Sequence, residues 1–141
     1  MSWPVPQPGL VVRYSYLWDS EARAGREEGV KDRPCAIVMV VTEEGKRPRV
    51  RVLPVTHTPP HDAADAVEIP QPTKSRLGLD SERSWIVLTE VNDFYWPGPD
   101  LRMQPGEGPE SCAYGFLPPR FFTHVVERLR LRRQALIGRT E

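Results

Sequence analysis

The chain has little cysteine: two residues in 141, Cys35 inside an apolar run and Cys112 in a Gly/Pro-rich stretch. Two thiols so placed, without metal-ligand spacing, exclude a disulfide scaffold and a zinc site. Long hydrophobic runs are missing as well. The longest, Cys35-Ala36-Ile37-Val38-Met39-Val40-Val41, falls far short of the roughly 20 residues a membrane-spanning helix needs, so no membrane partner is expected. No basic segment followed by an apolar stretch opens the chain. A reduced, cytoplasmic protein is therefore the expectation. Charge of one sign is also absent, because nineteen Lys+Arg balance nineteen Asp+Glu. A globally basic nucleic-acid binder is excluded, whereas a local basic groove is not.

Proline is in excess, at 16 residues of 141, roughly twice the usual share. It dictates many turns and few long helices. With 39% hydrophobic and 27% charged residues, there is material for one packed core. Residues 1–8, with Pro4, Pro6 and Pro8, form an extended and loosely attached segment, and residues 9–141 a single domain.

Beyond Gly9, period-two alternation of Val12, Tyr14, Tyr16 and Trp18 predicts a half-buried strand. Asp19 to Asp32 is a long, acidic, solvated loop, able to cover a groove or repel RNA. Ala36–Val41 suits a strand buried on both faces. Gly45 lies in a hairpin turn, and Arg49–Thr56 returns as a strand with an edge or bulge at Pro54. Residues 66–69 and 84–92 are further strands. After Pro118-Pro119, Phe122, Val125, Val126, Leu129 and Leu136 recur at helical spacing, which predicts a helix over 119–137. The fold class is mainly β: a small barrel of five to seven short strands with a C-terminal helix.

Three short stretches carry candidate chemistry. Lys31-Asp32-Arg33-Pro34-Cys35 runs into the buried strand, and Pro34 holds Arg33 extended at its mouth. Val52-Leu53-Pro54-Val55-Thr56-His57 ends a strand in a hydroxyl and an imidazole. Trp85 to Asn92 delivers a carboxylate, Glu90, and an amide, Asn92, on one face. Gly9-Leu10-Val11-Val12, Arg33-Pro34 before an apolar strand, Val55-Thr56 closing the next, and a terminal Leu136-Ile137-Gly138, taken in this order, resemble the MazF/PemK-like toxins, the ribonuclease halves of bacterial toxin–antitoxin pairs. The resemblance implies an SH3-like barrel, a homodimer, and cleavage of single-stranded RNA without a cofactor or metal. It also implies a cognate antitoxin that lays an acidic, disordered segment over the groove. It places the catalytic roles on Arg33 and Thr56.

The residue types suit that chemistry. Attack of a 2′-OH on its own phosphorus needs a proton acceptor, a proton donor for the leaving oxygen, and donors to the phosphoryl oxygens. Guanidinium fills the last role but is a poor base. His57 is a candidate for the proton transfers, since an ordinary imidazole titrates near ~6.5. Strict alternation sets Thr56 and His57 on opposite faces unless a bulge at Pro54 or the strand end relaxes it. Arg33 has a plainer reading as a surface ion pair with Asp32, Glu28 or Glu90. Arg49 and Arg51 are candidate phosphate guides, and Trp96, in Phe94-Tyr95-Trp96, is a candidate stacking surface for bases. Pro59-Pro60 forbids the helix that would let His57 and His61 share a metal. Two rivals stand beside the ribonuclease. One is a non-catalytic SH3-like binding module, the other a DNA- or gyrase-directed toxin.

Overall fold

The computed structural model describes residues 2–26, 29 and 31–139. Eight strands form one sheet: β1 (Leu10–Tyr14), β2 (Arg33–Val41), β3 (Arg49–Thr56), β4 (Ala66–Glu68), β5 (Trp85–Val87), β6 (Glu90–Tyr95), β7 (Ala113–Phe116) and β8 (Ala135–Gly138). Helices α1 (Asp19–Arg23), α2 (Gln71–Leu77) and α3 (Pro119–Arg130) complete the chain. Strand order is β4-β5-β3-β2-β1-β7, with β6 on the other part of β3 and β8 parallel to β6. The mainly β class is as the sequence indicates. The sheet does not close into a barrel, because its path ends on β4, β7 and β8 without those strands pairing with one another. No helix among the described residues is long and apolar enough to cross a membrane.

The central strands β1, β2 and β3 are buried on both faces, and alternation sorts them into two cores. Val12, Tyr14, Cys35, Ile37, Val50 and Val52 point one way and meet Phe94, Trp96, Leu101 and Cys112. Val11, Ala36, Leu53 and Val55 point the other way and meet Leu77 of α2 and Val125 of α3. In β2 the two-sided burial reaches only from Cys35 to Ile37; Met39 and Val41 are exposed, so the run expected to be buried on both faces over Ala36–Val41 is so only at its start. Both cysteines are buried and their thiols are free. Burial pushes the pKa of each thiol up, that of Cys112 to about 11. Neither should react with an aromatic disulfide reagent at pH 8 in the native protein, and both should react once urea unfolds it. A native thiol that titrates would contradict this packing.

Several elements depart from the sequence expectation. The helix predicted over 119–137 stops at Arg130. The side-chain amide of Gln134 donates to the carbonyl of Leu129 at 2.9 Å, and Ala135–Gly138 then pairs with the open edge of β6. Leu136 fits helical spacing only by coincidence. The 84–92 strand is two strands, β5 and β6, separated at Leu88-Thr89, and each joins a different part of β3. Pro54 is neither on an edge nor in a bulge. It stays in register opposite Cys35, where β3 has left β6 at Val52 and not yet met β5 at Val55, so its missing N–H costs no rung on that side. The bulge lies in β2, between Ile37 and Met39. The N-terminal segment is extended but not loose: Trp96 Nε1 donates to the Pro4 carbonyl at 3.0 Å, and Gly9 N to the Ile37 carbonyl at 2.8 Å. The loop from Asp19 begins as α1.

Candidate active site

The site lies at the open end of the β2–β3 ladder. Register Cys35↔Pro54, continued by two residues, sets Arg33 opposite Thr56. Both belong to the face of Cys35, Val52 and Tyr14. Arg33 donates through Nη1 to the Val55 carbonyl at 3.1 Å, and its guanidinium carbon lies 4.8 Å from the centre of the Trp18 ring. Its Nε is buried and has no hydrogen-bond partner among the described residues. A buried donor without an acceptor is costly, by roughly 1–3 kcal/mol, and favours any ligand oxygen that can reach it. Thr56 Oγ1 accepts from the Thr58 amide at 3.2 Å, which closes the strand in a tight turn and fixes the hydroxyl.

β3 ends at Thr56, so the alternation that would part Thr56 from His57 no longer applies. Arg33, Thr56 and His57 line one cavity of about 300 Å³, with Lys31 and Asp32 on one wall and Leu79, Asp80 and Ser84 on the other. His57 Nε2 is 2.9 Å from Asp80 and its Nδ1 3.3 Å from Glu82. Asp80 is itself positioned by Lys74, a side chain only 1% exposed. The Lys74 ammonium spends its three donors on Asp80 Oδ1 at 2.8 Å, Ser84 Oγ at 2.7 Å and the Glu82 carbonyl. Hydrogen bonding from Lys74, more than the charge of His57, holds the Asp80 carboxyl below its ordinary range. His57, Asp80 and Glu82 bring their ligand atoms within 4.8 Å of one another. Asp80 already has the Lys74 ammonium as its counter-charge, so the cluster reads as an ion-pair network around His57 rather than a cation site. Lys74 reaches it because α2 starts with Pro70 and Pro72 in its first turn and stops at Gly78, in the left-handed conformation at φ +71°.

Arg33 makes no ion pair among the described residues. Asp32 pairs with Arg102 at 3.4 Å, Glu90 is engaged elsewhere, and Glu28 lies outside the described residues. The other sequence candidates do not join the cavity. Asn92 is fully buried; its Oδ1 accepts from Leu17 N at 2.9 Å and its Nδ2 donates to Leu17 O at 2.7 Å. Glu90 is half-buried and accepts from the Tyr16 hydroxyl at 3.1 Å and the Asp19 amide at 2.9 Å. Trp96 sits in the core. Arg49 and Arg51 converge on the buried Asp93 carboxylate at the far end of β3. Their alternation points them away from the face of Arg33. Sequence reasoning missed Lys74, Asp80 and Trp18. Pro70 and Pro72 ahead of Thr73-Lys74 read as a connector, although proline in a first helical turn was the available signal for α2.

Glu90 carries a testable consequence of its burial. Desolvation raises its pKa, against the opposing bonds from Asp19 and Tyr16. Folding then favours the protonated acid, so stability falls as pH rises from the ordinary carboxyl value through the raised one. Glu90→Gln keeps the acceptor and removes the charge. Urea titrations should find the variant at least as stable as wild type at pH 7, with a flatter profile as pH rises above the ordinary carboxyl range. A variant clearly weaker at pH 7 would show that the carboxylate charge stabilises the fold.

No protein-family model matches this chain, and no curated protein matches it.

Proposed function

We propose that the protein is a metal-independent endoribonuclease of the toxin type, acting at the Arg33–Thr56–His57 cavity on single-stranded RNA. The observation that carries this reading is that Arg33, Thr56 and His57 line one cavity. The substrate 2′-oxygen attacks phosphorus as the bond to the 5′-oxygen breaks, leaving a 2′,3′-cyclic phosphate and a 5′-OH. Arg33 and Thr56 donate to the non-bridging oxygens, where charge builds. The proton released from the 2′-OH goes to His57, and an equivalent proton returns to the departing 5′-oxygen. Asp80 orients the imidazole and is itself fixed by Lys74. The family resemblance adds a cytoplasmic setting, self-association, and an antitoxin whose carboxylate neutralises Arg33.

A binding module of the same architecture is the second reading. It is favoured by His57, both of whose ring nitrogens already face carboxylates. Incubation of the purified chain with long single-stranded RNA in EDTA, with every new end mapped, separates the two. Discrete cuts with cyclic phosphate (or its opened 3′-phosphate) and 5′-OH ends are the expected result. Intact RNA from folded protein, across several sequences and at low salt, would leave the binding module.

A further inference from the structure

Beside the Arg33 cavity lies a second one, of about 330 Å³, whose lining includes Trp18, Pro59, Pro60, Val87 and Thr89. The two cavities share Thr56 and Thr58. Their chemistry differs sharply. The first presents Lys31, Arg33 and His57, while the second is walled largely by carbon. Trp18 links them, because Arg33 packs over its ring and the same residue lines the second cavity.

We propose that the second cavity is a base-binding subsite, holding a nucleobase of single-stranded RNA against Trp18 while the adjoining phosphate lies on Arg33 and Thr56. The inference rests on the ribonuclease reading of the first cavity and names the part of the substrate that would be recognised. A nucleotide joins a planar, apolar-faced ring to an anion, and the paired cavities offer surfaces of those two kinds side by side. The volume falls at the lower end of the roughly 300–1,000 Å³ of small-ligand sites. The walls are rigid before any ligand arrives. The Trp18 ring packs edge-on against the buried Tyr16 ring at 5.1 Å, and Pro59-Pro60 has little backbone freedom to lose. Thr58 and Thr89 bring hydroxyls to the lining, suited to the polar edge of a base.

Two labelled probes test this in EDTA at low salt. One is a mixed-sequence octamer of single-stranded 2′-O-methyl RNA, which cannot be cut because its nucleophile is blocked. The other is a sugar–phosphate octamer of equal length without bases. Wild type should bind the first about tenfold more tightly than the second, as expected for one stacked base. Val87→Phe, which fills the cavity without touching Arg33, and Trp18→Leu should both lose that margin. In Val87→Phe, binding of the baseless probe should be unchanged. A folded Val87→Phe protein that keeps the margin, or wild type that binds both probes equally, would overturn the subsite and leave the ribonuclease reading standing. Wild type that binds neither probe would take the ribonuclease reading down with it.

Discussion

Arg33→Ala is expected to slow RNA cleavage by about 10³-fold or more, while the protein unfolds in urea close to the wild-type midpoint. The size follows from what guanidinium does at a phosphoryl group. Loss of one well-placed donor to developing charge costs about 10²–10³, and loss of a dedicated arginine about 10³–10⁵. The small effect on stability follows from its surroundings. In the free protein the Arg33 side chain makes one hydrogen bond among the described residues, to the Val55 carbonyl, and rests on Trp18. Arg33→Lys should recover little of the rate, because an ammonium supplies charge without the two-pronged donor geometry. His57→Ala should also slow cleavage, by about 10²–10⁴-fold, through loss of the proton acceptor. An Arg33→Ala protein that cuts at the wild-type rate would remove the proposed function from this cavity.

The largest loss of stability is expected far from the cavity, at Arg139. Its side chain is 2% exposed, and three groups depend on it. Nη2 pairs with Asp100 at 3.0 Å, and Nη1 donates to the Ser15 carbonyl at 2.8 Å and to Asn92 Oδ1 at 3.0 Å. Asn92 in turn holds both backbone groups of Leu17. Arg139→Ala removes one partner of an almost buried ion pair, a change that costs roughly 3–5 kcal/mol. For a domain whose whole stability is on the order of 5–15 kcal/mol, that is a large fraction. Urea unfolding should show a midpoint lowered accordingly with little change in slope. The paired change Arg139→Met with Asp100→Leu should recover much of the loss, since no charge is then stranded. A single variant as stable as wild type would mean that water satisfies Asp100.

The sequence candidates that line the cavity, Arg33, Thr56 and His57, share a property: each stands at or beside a strand terminus fixed by its nearest neighbours. Pro34 sets Arg33 at the mouth of an apolar run, and the approach of Pro59-Pro60 ends β3 just after Thr56. Asn92 and Glu90 stay outside the cavity for the opposite reason. Period two places both on one face, but it cannot tell a solvent groove from a polar seam inside the fold. The partners that decide it, Leu17, Tyr16 and Arg139, lie tens of residues away. Trp96 likewise looked like an exposed ring until the N-terminal segment covered it. Lys74 was invisible as a site residue because its role arises only when the α2–β5 loop folds back over the ammonium. The barrel expectation failed at the margins of the sheet, where closure depends on strands meeting across the whole chain.

The pairing of β2 with β3 has a consequence in time. Only the Gly45 turn separates these strands, so their hairpin has the lowest loop-closure entropy of the main ladders, whereas β7 must return to β1 across about a hundred residues. Arg33 and Thr56 therefore meet in the part of the chain that can organise earliest. The contacts that complete their pocket are of no longer range: Trp18 meets Arg33 across about 15 residues, and Asp80 meets His57 across 23. The pocket is thus assembled from one continuous stretch of chain, and the distant return of β7 closes the sheet elsewhere.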